Sequence, residues 1–417
     1  MKKKSLLLLL GAVLFLGGAA VPAAEVMAGE ETELTAEASG GEETESAAET
    51  MAEEEPEIDA GAESGTEGAS WTDYQITIAG EVYALPMMYE EFVSYGWSLQ
   101  DETEDTLEPY SYSFYSFQKD DMMVTAYVLN LGINTMPIEE CIVAGISIDD
   151  YYWSDLEETV ELPCGIVLGE STLEDIEAAY GTPTDTYEGT QYTQYTYEED
   201  YNQEIELQVF LESGVLEDIR MENFVEPEGF DEGEMSTETP QSVLAYTKPE
   251  SLSSDLSAYE IEIDGDCYEL PVPVSVLLED GWEIDADDSD SVIVAQYFGW
   301  VTLRKNNQSF SAIVTNDEDY ATTPENCWLE ELATGGYTLD MDGALPGGVR
   351  IGITEEEFLA ILEENSMEYE YTESGDYHYY TYNSPSYGSS CEVTIYAGTD
   401  SYYEKDTIIS VSCEHEL

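Results

Sequence analysis

The sequence predicts an α+β protein: two tandem repeats, each of short helices packed on antiparallel β-sheet, behind a disordered acidic N-terminal spacer. Three observations lead there. Beyond residue 70 the chain repeats itself, block by block and in the same order. Within each repeat, alternating stretches rich in Tyr, Thr and Val are punctuated by Gly-centred turns, the mark of antiparallel strands. Two segments per repeat carry helix-opening signals instead.

The chain begins Met1-Lys2-Lys3-Lys4 and runs into an apolar stretch, Ser5 to Ala20. A basic start, a short apolar run and then small residues predict a secretory signal over residues 1–28, cleaved after Ala23 or Ala28. The run is shorter than the roughly 20 residues a spanning helix needs. The mature chain is therefore expected to be secreted or associated with the cell envelope, without membrane insertion once the signal is removed.

Residues 29–70 consist largely of Glu, Ala, Gly, Ser and Thr, with no aromatic side chain and no Lys or Arg. Such a segment buries too little apolar area to offset its conformational entropy, so it is expected to be a disordered, self-repelling spacer.

Charge bounds the partners. The chain carries 93 Asp+Glu against 10 Lys+Arg, a formal net charge of −83. Removing residues 1–28 takes away three Lys and one Glu, leaving 92 acidic and 7 basic side chains. Seven scattered cations make no phosphate-binding footprint, which excludes nucleic acid, and anionic membrane surfaces fall with it. Cationic partners and divalent ions stay open.

The repeat is explicit. Tyr74-Gln-Ile-Thr-Ile-Ala-Gly-Glu-Val-Tyr-Ala-Leu-Pro86 lies over Tyr259-Glu-Ile-Glu-Ile-Asp-Gly-Asp-Cys-Tyr-Glu-Leu-Pro271, 185 positions on. Gly96-Trp97 and Gly281-Trp282 keep that spacing; Lys119 and Lys305, like Cys141 and Cys327, stand 186 apart. Matched blocks in conserved order predict a duplicated unit, with repeat 1 at 71–224, a Pro- and Gly-containing linker at 225–257 and repeat 2 at 258–417.

Each repeat opens with a hairpin turning at Ala79-Gly80 or Asp264-Gly265. A short helix should follow Pro86 and Pro271 and end near Gly96 and Gly281. Two strands follow, turning at Lys119-Asp120-Asp121 and Lys305-Asn306-Asn307. A second helix opens at Thr172 or Thr354, each with an acid three residues on, Asp175 or Glu357, as in a capping box. Ile176, Ala179 and Tyr180 form the apolar stripe of one; Phe358, Ile361 and Leu362 form that of the other. The remainder is β, with Tyr195-Thr196-Tyr197 matching Tyr380-Thr381-Tyr382.

The stretch Gly169-Glu-Ser-Thr172-Leu-Glu174-Asp175-Ile176-Glu-Ala-Ala-Tyr180-Gly181-Thr-Pro183 resembles a signature of small outer-membrane-assembly lipoprotein domains (SmpA/OmlA type). The layout is also similar to the tandem repeats of β-lactamase inhibitor proteins. Repeat 1 departs by one extra residue after Gly169, and repeat 2 lacks the closing Gly-x-Pro. The resemblance implies helix-plus-sheet repeats that act by binding other proteins in or beyond the envelope. It maps no binding residue onto this chain.

No catalytic motif is present, and the two histidines, His378 and His415, lie outside any nucleophile pattern. Abundant carboxylates leave a hydrolase as the least favoured reading. Asp285-Ala-Asp287-Asp288-Ser289-Asp290 spaces oxygens at alternate positions, so Asp285, Asp287 and Ser289 are the candidate Ca²⁺ ligands, without the Gly and Glu of an EF-hand. The 32 tyrosines suggest a contact surface, because Tyr is large, stiff and amphipathic. Tyr195 with Tyr197, and Tyr380 with Tyr382, are the candidate binding face. Six cysteines in an exported chain permit disulfides. Cys391 and Cys413 flank the last turn symmetrically, where repeat 1 has Ile205 and Met221, and should pair; Cys141 with Cys164 and Cys267 with Cys327 are assigned by elimination. The expected function is a secreted or envelope-associated protein-binding module without catalytic activity. A calcium- or polysaccharide-interacting surface protein is the alternative.

Overall fold

The computed structural model describes residues 70–100, 105–154, 156–336, 339–399 and 403–417. The expected signal segment and all of the expected spacer but Ser70 lie outside the described residues.

Each half opens with the hairpin its alternation dictates. Gln75–Ile78 pairs with Glu81–Ala84, and Glu260–Ile263 with Asp266–Glu269. Both turn residues have positive φ: 52° and 79° at Ala79 and Gly80, 53° and 91° at Asp264 and Gly265. That is the backbone of a two-residue turn whose twist matches the strands. A second short pair extends each hairpin to four strands. It is Val160–Leu162 with Ile166–Val167 in the first half, and Gly343–Leu345 with Val349–Arg350 in the second.

Among the described residues the larger sheet of the first half has nine strands. Its main path runs Asp185–Glu188, Tyr192–Asp200, Gln203–Phe210, Leu216–Asn223, Ile142–Asp149, Met122–Leu129, Tyr112–Lys119, Ser98–Leu99, and Met87–Met88 joins Ile142–Asp149 from the side. The second half follows the same path in two pieces. One runs Tyr369–Ser374, Tyr377–Ser386, Ser389–Tyr396, Thr407–His415, Glu331–Gly335. The other runs Val272–Pro273, Trp328–Leu329, Gln308–Asn316, Tyr297–Lys305, Glu283–Ile284. Ile142–Asp149 thus corresponds, 186 positions on, to two strands interrupted at Glu330. The Glu330 carbonyl turns aside to accept the His415 N–H at 2.8 Å.

The expected α+β class is overturned. Strand accounts for 46 % of the structure and helix for 16 %, so the architecture is antiparallel sheets rather than helices layered on a sheet. The five α-helices among the described residues are only five to ten residues long. The physical reason lies in run lengths. The Tyr/Thr/Val segments pair as strands of eight to ten residues, whereas the helical segments stop after one to three turns. Both capping boxes form, Thr172 with Asp175 and Thr354 with Glu357. Their helices bury Ile176, and Phe358 with Leu362.

Each half buries its own core, one from Tyr74 to Met221 and one from Leu256 to Cys413. Lys119 ties the hairpin to the large sheet through Glu81 at 2.6 Å; Lys305 does so through Asp266 at 3.1 Å. The halves meet along a hydrogen-bonded seam. Thr135 N–H donates to the Asp319 carbonyl at 3.0 Å, Ala295 N–H to that of Ile133 at 3.0 Å, and Ala321 N–H to Asn134 Oδ1 at 2.7 Å. The connecting residues run along this seam: Glu232 accepts from Ile133 N–H, and Ser236 bridges to Thr322.

Candidate functional site

The strand Tyr297–Lys305 alternates in burial. Gly299, Val301 and Leu303 face inward, while Phe298 and Trp300 point out, 51 % and 54 % exposed. Its partner Gln308–Asn316 places Ile313, 49 % exposed, directly opposite Trp300. Thr315 lies opposite Phe298, and Thr302 opposite Ser311 with their hydroxyls 2.8 Å apart. Tyr297, also exposed, stacks on Phe298 with ring centroids 4.8 Å apart. The outcome is a strip of one aliphatic and three aromatic side chains ending in a hydroxyl pair.

This strip is tied down by hydrogen bonds at one end and along its outer edge. At the Tyr297 end, Gln296 N–H donates to the Glu318 carbonyl at 3.1 Å, next to the seam. Along the outer edge, the loop 285–290 takes the place of a neighbouring strand. Asp285 N–H donates to the Thr302 carbonyl and Asp290 N–H to that of Trp300. In return Trp300 N–H donates to Asp290 Oδ2 at 2.8 Å and Thr302 N–H to Ser289 Oγ at 2.9 Å. Every backbone group so satisfied is one fewer template for indiscriminate strand pairing. Gly299 permits the loop's approach, since a Cβ there would stand 2.4 Å from Ile293 Cδ1 and 3.1 Å from Asp290 Oδ2.

The first half has the equivalent strip, covered only at the residue opposite Phe114. Phe114, 186 positions before Trp300, is 53 % exposed and opposite Tyr127. Tyr127 is buried beneath Arg220, whose guanidinium carbon lies 5.5 Å from the ring centroid. Phe224 packs edge-on against Tyr112 at 5.0 Å.

The four tyrosines chosen from the sequence point the other way. Tyr197 and Tyr382 are each 1 % exposed and Tyr380 is 5 % exposed; Tyr195 is half-buried against the core. Tyr382 and Tyr380 stand opposite Cys391 and Val393, and both rings meet Phe358. Burial pushes the Tyr197 phenol up to about 12. The missed residues carried a signal: Phe298 and Trp300 alternate with Val301 and Leu303, so the strand had already filled its core face. Tyr380 and Tyr382 share the phase of the apolar residues across from them.

The candidate calcium loop has other duties. Asp285 pairs with Arg304, and Ser289 accepts the Thr302 amide. Asp287 is exposed, its N–H donating to Asp285 Oδ1 at 3.3 Å. Among the described residues no three His, Cys, Asp or Glu side chains are arranged to hold a metal.

No two cysteine sulfurs lie at bonding distance. Cys391 and Cys413 are directly paired across the strands, with Sγ atoms 3.6 Å apart. Cys141 and Cys327 sit at equivalent buried corners, their Sγ atoms 3.4 Å from the Pro137 carbonyl and 3.6 Å from the Thr323 carbonyl. Cys164 is exposed, and Cys267 Sγ lies 3.6 Å from Glu262 Oε2. Of the histidines, His378 Nδ1 lies 2.8 Å from Glu355 Oε1, which also accepts from the Tyr380 hydroxyl at 2.5 Å. His415 stacks on Tyr259 at 4.1 Å.

Six of the seven cations beyond residue 28 are spent internally, and Arg350 is exposed. Lys119, Arg220, Lys248, Arg304, Lys305 and Lys405 each pair with a carboxylate of the chain. Among the described residues no helix is long and apolar enough to cross a membrane. No family model, curated protein or solved structure matches this chain.

Proposed function

We propose that this chain is a secreted or envelope-associated protein-binding module whose contact surface is the strip Tyr297, Phe298, Trp300 and Ile313. The observation that carries the reading is the register: three large apolar side chains, each about half exposed, stand together on one sheet face whose edge is satisfied at Trp300 and Thr302. Aromatic residues preordered in this way lose little entropy on binding, which is why they dominate interface energetics.

Charge selects the partner. Asp287, Asp288 and Asp290 flank the strip, and the chain's net charge is −83. A polypeptide presenting apolar side chains beside Lys and Arg is matched in both respects, whereas a second copy of this chain would be repelled. Export rests on residues 1–28 alone.

Trp300 reports its own occupancy. It is exposed, while Trp97, Trp153, Trp282 and Trp328 are buried and Trp71 is half-buried. Peptides selected from a random library on the folded chain should be apolar and basic, should shift Trp300 emission to the blue, and should lose affinity for the Trp300→Ser/Ile313→Ser double variant. Selected peptides that bind that double variant unchanged, or that let go wholly at high salt, would overturn the assignment.

A further inference from the structure

The last two paired strands of the second half hold a pair of thiols that the binding reading does not use. Cys391 lies in Ser389–Tyr396 and Cys413 in Thr407–His415, in direct register, and both are at most 1 % exposed. Directly opposed residues of an antiparallel pair have Cα atoms about 4.5–5.5 Å apart, inside the range of about 4.4–6.8 Å that a disulfide spans. The sulfurs already touch at 3.6 Å. The first half fills the same two positions with Ile205 and Met221, again in register and fully buried.

We propose that Cys391 and Cys413 form a disulfide when the chain folds in an oxidising medium, and that the other four cysteines remain thiols. The geometry separates the pair from the rest. Cys141 and Cys327 are core residues at equivalent corners, each sulfur directed to the carbonyl four residues back. Cys267 is engaged by Glu262, and Cys164 stands on an exposed turn with φ of 60°.

The oxidant is a low-molecular-weight disulfide. One cysteine thiolate attacks it and expels one small thiol, leaving a mixed disulfide; the second thiolate then attacks the protein-bound sulfur and expels the other. Two protein thiols lose two protons and two electrons, and the external disulfide becomes two thiols. The exchange belongs to folding rather than to the finished structure. Once the strands close, the contact with Cys391 and burial hold the Cys413 thiol far above its ordinary range, so thiolate is scarce.

The test is refolding of the full chain from denaturant in a mixture of reduced and oxidised glutathione, followed by thiol blocking, digestion and mass spectrometry. The expected product has Cys391 linked to Cys413 and four blocked thiols, and its denaturation midpoint falls on adding reductant. The C391I/C413M variant, which copies the first half, should fold and show no response to reductant. Six blocked thiols, or a bond to any other cysteine, would overturn the proposal.

Discussion

Asn130 and Asn316 stand 186 positions apart and organise the same corner of the two halves. Each is buried at the end of a strand, and each side chain binds its own loop from within. Asn130 Nδ2 donates to the carbonyls of Leu107 and Asn134 at 2.9 and 2.8 Å, and its Oδ1 accepts from Gly132 N–H at 2.7 Å. Asn316 Nδ2 reaches the carbonyls of Ile293, Val294 and Tyr320 at 2.9–3.1 Å, and its Oδ1 accepts from Glu318 N–H at 3.1 Å. The two loops so shaped are the ones that meet across the seam, Thr135 on Asp319 and Asn134 on Ala321.

Removing that internal scaffold should loosen the seam. Asn316→Ala leaves buried carbonyls without donors and is expected to cost about 2–4 kcal/mol. Chemical denaturation measures the loss, and hydrogen exchange should quicken first at Thr135 and Ala321. An unchanged denaturation midpoint would show that water replaces the side chain at no cost.

The strip and the buried tyrosines should separate under substitution. Trp300→Ala is expected to leave stability within about 0.5 kcal/mol yet weaken a selected peptide at least about tenfold, about 1.4 kcal/mol. Tyr382→Ala should do the reverse and destabilise by about 3–5 kcal/mol, because its ring fills the core against Phe358. Thermal melts and peptide titrations on both variants distinguish them.

Gly299 is where the loop 285–293 crosses behind the strand. Gly299→Ala places a methyl group against Ile293, an overpacking worth about 1–3 kcal/mol. Faster exchange at the Trp300 and Thr302 amides, which the loop's side chains now hold, is the expected signature.

Acidification from pH 7 should stabilise the fold. Burial, then the charges of Asp149 and Glu206, push the Asp218 carboxyl up to about 6. Asp149 is its direct cross-strand neighbour. A folded pKa above the unfolded one means the native state binds the proton more tightly. Stability is therefore gained as pH falls through about 6 and is complete below the unfolded value. Glu331 and Glu392 shift in the same direction, chiefly through burial. Asp175 and Glu357, held down by their capping bonds, act oppositely and only at lower pH. Asp218→Asn should raise stability at pH 7 by on the order of 1 kcal/mol and flatten the profile between pH 7 and 5.

Much of the local structure was legible because it is set by near neighbours. The hairpins at Ala79-Gly80 and Asp264-Gly265, both capping boxes and the facing of Cys391 with Cys413 follow from turn chemistry and period-2 alternation, which act within a few residues. The proportion of sheet to helix did not follow, because it depends on how far each alternating run continues once its neighbours pair with it. Nor did the exposed face. Alternation divides a strand into two faces without saying which one meets the core. Tyr380 and Tyr382 turn inward because Phe358 comes down on that side; Phe298 and Trp300 remain outside because Val301 and Leu303 fill the other. The alternation of each strand, and the chain's overwhelming negative charge, were properties of the sequence by itself. Which aromatic residues are left to meet a partner was decided only by tertiary packing, since burial is a contest between faces that distant segments settle.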